Sequence, residues 1–146
     1  MLALTKKTGY GLIAMAHLAN SSGGLTSARE IAEKYGVPHS LLMNVLKALS
    51  AQGYVESVRG VHGGYRLARQ PGDISVADVA GALEGPVRLS QCLAHKTHAD
   101  EECGCVVSCP VADPVHRVQR RLYEFLKKVT LAEIAQPELA SSGHGT

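Results

Sequence analysis

Along the first half of the chain, apolar positions recur mainly at helical spacing. From about Thr5 to Ala19, the residues Tyr10, Ile13, Ala14, His17 and Leu18 share one face, and Leu12, Met15 and Ala16 widen it. A helix apolar over most of its circumference needs cover on two sides, from its own core and from a partner subunit. The run Asn20-Ser21-Ser22-Gly23-Gly24 ends it. Ser27-Ala28-Arg29-Glu30 then has the form of a capping box and opens a short second helix to about Tyr35. Gly36-Val37-Pro38 predicts a tight turn, with Pro38 tolerated at a helix start. A third helix follows from about His39 to Gln52, with Leu42, Val45, Leu46 and Leu49 inward and Gly53 as its stop.

Two short helices and a tight turn are followed by Tyr54-Val55-Glu56-Ser57-Val58, a glycine-rich tip and Tyr65-Arg66-Leu67-Ala68. This order predicts a helix-turn-helix with a β-hairpin, that is, a winged helix. Ser75 and Asp78 cap a fourth helix carrying Val76, Val79, Ala80 and Leu83. Glu84 to Pro110 lacks periodicity, and an irregular stretch of that length is commonly functional or disordered. Beyond it, Asp113-Pro114 is expected to cap a long helix in which Val115, Val118, Leu122, Phe125 and Val129 step by 3 and 4, a heptad seam. Thr130-Leu131-Ala132-Glu133 caps a last short helix. The expected fold is mainly α with a small β-hairpin: a winged helix-turn-helix over 1–83, a cysteine-rich loop over 84–110, a dimerisation helix with the short terminal helix over 111–136, and a disordered tail over 137–146.

At 146 residues and 45% hydrophobic, the chain can bury one core without disulfides. No run is long enough to span a membrane, and the start lacks a signal peptide's order of segments, so the expected location is the cytoplasm. The formal charge of +2 is small. Residues 1–80 carry 8 Lys/Arg against 5 Asp/Glu, and residues 81–146 carry 7 against 8, so the excess sits weakly on the N-terminal part. No nucleophile, base and oxyanion set is recognisable, and Gly60 to Gly64 lies in a hairpin rather than before a helix, which argues against an enzyme.

On the third helix, Ser40, Met43, Asn44 and Lys47 lie opposite the leucines. Asn can pair bidentately with adenine, Lys can reach guanine or phosphate, and a serine near a helix start suits a phosphate. The same pattern would also serve as a plain solvated face. The hairpin tip tilts the balance, because Arg59-Gly60-Val61-His62-Gly63-Gly64-Tyr65-Arg66 sets cations beside a flexible turn that can enter a narrow minor groove.

All four cysteines, Cys92, Cys103, Cys105 and Cys109, lie in the irregular stretch, separated by 10, 1 and 3 residues. Thiolates suit iron-sulfur clusters and tetrahedral zinc alike. The single-residue gap between Cys103 and Cys105 fits the usual paired zinc spacing poorly. A thiol switch that oxidises two of them to a disulfide is a third reading.

Leu4-Thr5-Lys6 through Tyr10, Val58-Arg59-Gly60-Val61-His62-Gly63-Gly64-Tyr65, Ile74-Ser75-Val76-Ala77-Asp78-Val79 and Val129-Thr130-Leu131-Ala132-Glu133 resemble, in one order, the Rrf2 family of transcriptional regulators of the IscR, NsrR and RirA type. The resemblance implies a homodimer that crosses its long helices and sets two winged helices on double-stranded operator DNA of dyad symmetry. It implies DNA contacts at Lys6, Tyr10, Ser40, Asn44, Lys47, Arg59, Gly60, Gly63, Tyr65 and Arg66, with Arg59 in the minor groove. Ala82-Leu83-Glu84-Gly85-Pro86 looks most like members controlling the Suf iron-sulfur assembly operon.

The resemblance also implies a redox-sensing repressor that binds a [2Fe-2S] or [4Fe-4S] cluster through three cysteines and one variable ligand. Cys92 falls at the family's first cysteine and Cys109 at its last, with Cys103, Cys105 or both between them. The family's histidine alternative falls on Ala112, and its acidic N-terminal alternative falls on Lys7-Thr8, which favours four cysteines. His95, His98 and His116 are further candidates for the fourth position.

Overall fold

A computed structural model describes residues 5–86 and 110–135. Its described elements are α1 (Lys6–Asn20), α2 (Ala28–Tyr35), α3 (His39–Ala51), β1 (Val55–Val58), β2 (Gly64–Leu67), a 3-10 turn at Pro71–Asp73, α4 (Val76–Glu84), α5 (Ala112–Lys128) and α6 (Leu131–Ala135). Helices with a small hairpin, in the expected order, are the fold that the apolar periodicity predicts.

The face that α1 buries differs from the expected one. Thr8, Gly11, Ala14, Met15 and Leu18 point inward, while Ile13 is exposed and Tyr10 and His17 are half-buried. Gly11 lies on the buried face: a Cβ there would meet Leu83 Cδ1, so α1 and α4 approach at the position without a side chain. The buried face is thus centred to one side of the stripe defined by the larger apolar residues. Around this crossing Ile31, Leu42, Leu46, Leu49, Ile74, Val79 and Leu131 form one core.

The caps differ in completeness. At α2 the Glu30 amide donates to Ser27 Oγ over 3.1 Å, which is the serine half of the box. At α4 the box is complete: the Ser75 amide donates to Asp78 Oδ2 (2.9 Å) and the Asp78 amide to Ser75 Oγ (3.1 Å). At α5 the cap position is Val111, without a side-chain hydrogen bond, so Asp113 is not the cap. It sits in the first turn, where a carboxylate still opposes the positive helix end, and Pro114 is tolerated where amides have no intrahelical partner.

The hairpin pairs Val55 with Leu67 and Val58 with Gly64 in antiparallel register. A third strand-like contact flanks it. The Thr26 amide donates to the Tyr65 carbonyl (2.9 Å) and the Tyr65 amide donates back (2.8 Å), tying the α1–α2 connection to β2. A second bridge joins the Val76 amide to the Val129 carbonyl (2.9 Å) and the Leu131 amide to the Ile74 carbonyl (2.7 Å). It returns the chain after α5 to the core, where α6 packs on α1 and buries Leu131 and Ala135.

No side chain of α5 is classed as buried among those described. On its seam Val118 is 53% and Phe125 63% exposed, while Val115, Leu122 and Val129 are half-covered. None of the described helices is long and apolar enough to cross a membrane. The expected cysteine loop and tail lie largely outside the described residues.

A Cβ on Gly64 would fall 2.8 Å from the Thr26 carbonyl oxygen and 2.9 Å from its carbon. Gly64→Ala is therefore expected to cost about 1–3 kcal/mol, the scale of an overpacked contact against backbone. Urea denaturation checks it; a midpoint within error of the parent would show that the Thr26 bridge is not what holds the wing.

Candidate nucleic-acid interface

The turn at Gly36 (φ +65°) reverses the chain between α2 and α3, and Val37, Leu42 and Leu46 anchor the new helix in the core. The opposite side is thereby fixed outward. Ser40, Asn44 and Lys47 are all exposed on it, one turn apart, as the spacing predicts. Met43 lies on one flank of this face, half-buried, with the Tyr65 hydroxyl 3.9 Å from its sulfur. Tyr65 thus braces the wing against α3 rather than standing free, and its backbone is already committed to Thr26.

At the wing, Arg59 and Gly60 are exposed beside Val61, which is 98% exposed, and the turn closes with the Gly63 amide donating to the Gly60 carbonyl (3.0 Å). Gly63 is required there, since a Cβ would lie 2.1 Å from the Val58 carbonyl oxygen. Gly60, at φ +120°, has open space around it and supplies the turn's backbone freedom. Arg59 makes no ion pair among the described residues.

Arg66 behaves differently from Arg59. Its Nε donates to Glu56 Oε2 across the hairpin at 2.7 Å. The same contact holds the exposed Glu56 carboxyl below its ordinary range, hydrogen bond first and charge second, and raises Arg66 further. At neutral pH the pair is neutral as a unit, so Arg66 adds little to the field of the wing. Lys6 is exposed at the start of α1, whereas Tyr10 is half-buried against the core with its ring partly used in packing.

Sequence reasoning missed a link at the opposite end. The Thr5 hydroxyl caps α1 through the Thr8 amide and also bonds the Glu84 carboxylate at the end of α4. Thr8 itself is fully buried, and its hydroxyl has no hydrogen-bond partner among the described residues. From Gly85 and Pro86, just beyond, the chain leaves toward its cysteines. A cleft lined by Gln52, Tyr54, Asp78, Gly81, Pro86 and Tyr123 lies where α5 packs on α4, near the end of α3. Burial and the neighbouring Asp78 push the Tyr54 phenol up, and the Arg69 guanidinium stacks on its ring at 4.9 Å.

Cys92, Cys103, Cys105 and Cys109, with His95 and His98, lie outside the described residues. Among the described residues no group of three or more His, Cys, Asp or Glu side chains could hold a metal ion. His116 is half-buried on α5.

A family model described as Rrf2, iron-dependent transcriptional regulator, matches residues 4–137. Among solved structures, the chain is similar to T. potens IscR, with 32% identity over 97% of this chain and 96% of that one and a TM-score of 0.68. It is similar to CymR (YrzC), the global cysteine regulator of B. subtilis, with 29% identity over 92% and 97% and a TM-score of 0.71. Staphylococcus aureus CymR in its oxidized form aligns at 26% identity over 94% and 98%, with a TM-score of 0.70.

The contrast between the two wing arginines can be measured on a random-sequence duplex by fluorescence anisotropy at low salt. Arg59→Ala should weaken binding about ten-fold, the effect of one lost groove contact. Glu56→Gln should tighten it roughly two- to five-fold, because one negative charge leaves and Arg66 is freed toward phosphate. Equal losses for Arg59→Ala and Arg66→Ala would contradict the pairing argument.

Proposed function

The chain belongs to the Rrf2 family, and from that premise we propose a homodimeric repressor that reads operator DNA and senses iron-sulfur, iron, redox or nitric oxide status through a cluster on its cysteines. That it is a transcriptional regulator with a DNA-binding winged helix, and not an enzyme, follows from the family itself. The observation that carries the operator reading is the joint exposure of Ser40, Asn44 and Lys47 on α3 with Arg59 on the adjacent wing. An operator of dyad symmetry then follows from two such units in a dimer. The likeness of Ala82-Leu83-Glu84-Gly85-Pro86 to Suf operon regulators makes iron-sulfur assembly genes the first targets to examine.

The dimer reading rests on the open seam of α5. Among the described residues Val118 and Phe125 stay more than half exposed, and a second copy presenting the same seam would bury both. Lys6 and Tyr10 flank the major-groove face as backbone contacts in this reading. Gly60 and Gly63 let the wing backbone approach the duplex, and Arg66 serves only where phosphate displaces Glu56.

The donor chemistry fits an iron-sulfur cluster: four thiols within eighteen residues of a family described as iron-dependent. Cys92, Cys103, Cys105 and Cys109 would hold it, and a cluster there would supply a bond set that forms and breaks with iron, oxidants or nitric oxide. The chain's own part is transmission. The cysteine stretch departs from Glu84, tied to Thr5 at the start of α1, and re-enters at Pro110, at the start of α5. Ligation of the four sulfurs would therefore constrain the approach of α5 to the DNA-reading helices, favouring one dimer geometry over others.

A second reading keeps the operator and replaces the cluster with a thiol-disulfide switch. The similarity to S. aureus CymR, solved in an oxidized form, favours considering it.

Protein purified without oxygen is expected to absorb across roughly 320–450 nm with matching iron and sulfide. Cys109→Ser should abolish that absorption and change operator affinity. Unchanged affinity in a mutant shown to be metal-free would defeat the sensor, and a colourless parent whose DNA binding follows thiol oxidation would select the switch.

Phe125→Glu places a charge on the seam and should yield a folded monomer by sedimentation, with helical content unchanged by circular dichroism. A dimer that survives the substitution would place the subunit contact elsewhere.

A further inference from the structure

We infer that Leu41 is a specificity-determining residue that reads the 5-methyl group of a thymine in each half-site, beside the base pair contacted by Asn44. The inference rests on the operator reading above and adds a base preference to it.

The argument begins with how completely α3 sorts its residues. Leu42, Leu46 and Leu49 have no exposed surface, and Ser40, Asn44 and Lys47 are exposed. Leu41 breaks the rule. It is 47% exposed, whereas Met43 and Ala48 of the same helix are half-buried and pack on the core. Met43 is covered by Tyr65 on the wing side, whereas Leu41 projects from the other flank, next to the outward face and in the first turn of the helix.

A large aliphatic side chain left in water at the amino end of a recognition helix gains most from an apolar surface in the major groove. Only thymine offers one there, its 5-methyl group. Asn44 lies three residues further on, so the two side chains project on neighbouring parts of the same turn. An asparagine amide matches adenine N6 and N7, and Leu41 then lies within reach of an adjacent pair. The combination favours an A·T-rich step in the half-site. Ser40 and Lys47, on either side along the helix, have donors suited to phosphate and guanine but nothing that distinguishes a methyl group.

The test starts from duplexes enriched by the full-length protein from a random pool. The parent should fix a thymine next to an adenine in each half-site, and Leu41→Ala should lose that thymine preference while keeping the adenine. Replacing the thymine by deoxyuridine removes the methyl alone. It should weaken binding by the parent about three- to ten-fold, the scale of one or two buried methyl contacts, and leave binding by Leu41→Ala unchanged. Equal sensitivity of both proteins to deoxyuridine overturns the inference, as does an enriched site without a fixed thymine. Failure to enrich any duplex overturns the operator reading beneath it instead.

Discussion

Two backbone hydrogen bonds, from the Val76 amide to Val129 and from the Leu131 amide to Ile74, constrain everything that the long helix can do. They close an antiparallel bridge between the start of α4 and the end of α5, and they set α6 against α1. Apart from them α5 meets the DNA-reading domain through its contact with α4, made by side chains of which none described is fully buried. The carboxyl end of α5 is therefore a fixed point. Its amino end is different: Val111 provides no side-chain cap, and the preceding chain is the cysteine stretch. The same stretch begins at Gly85, where Glu84 is held by Thr5. In the proposed reading, ordering of the cysteines would act on the amino end of a helix whose carboxyl end is held by this bridge.

The DNA-facing surface depends on a second non-local bridge, between Thr26 and Tyr65. A two-stranded hairpin alone is marginal in water. Here it gains a third partner strand of one residue, a tyrosine braced on Met43, and a cross-strand ion pair between Arg66 and Glu56. Being exposed, the ion pair contributes little to stability. Its effect is on the charge that the wing presents: of the two arginines near the tip, Arg59 is the one left to meet an anion. The wing is rigid where it joins α3 and permissive at Gly60, which suits a groove whose width varies with sequence.

The elements were legible because helices with apolar stripes and glycine stops follow local rules. Gly36 after α2, Ser75 before α4 and the steps of 3 and 4 along α5 all lie where periodicity and capping chemistry put them. The face of α1 was not, because a glycine at a helix crossing contributes by having no side chain, and a search for large apolar residues passes over it. Asp113 lies in the first turn and not at the cap, a distinction that sequence does not make because acidic residues favour the whole first turn. The Thr26 and Val129 bridges join segments far apart in sequence, and no local pattern encodes them. On the site, the outward face of α3 was legible from spacing. The neutralisation of Arg66 and the isolation of Leu41 were not, since both depend on what the fold places opposite them.

The proposed dimer is limited further by the seam itself. Val115 to Val129 spans two heptads, and coiled coils are usually sustained over three or four. With Val115, Leu122 and Val129 at one core position and Val118 and Phe125 at the other, Arg121 and Lys128 occupy one flanking row and Gln119 and Leu126 the other. Neither row carries an acid. Long parallel pairing would thus gain no interhelical salt bridges, and antiparallel pairing along one row would set cations against cations. A crossing contact, in which the seams meet over a short length and the flanking cations diverge into solvent, avoids both costs. Such a contact is small against the roughly 1,200–2,000 Å² of a stable interface. The remainder must come from other surfaces, and Ile13 on α1 and Ile134 on α6 are apolar side chains that the monomer leaves exposed.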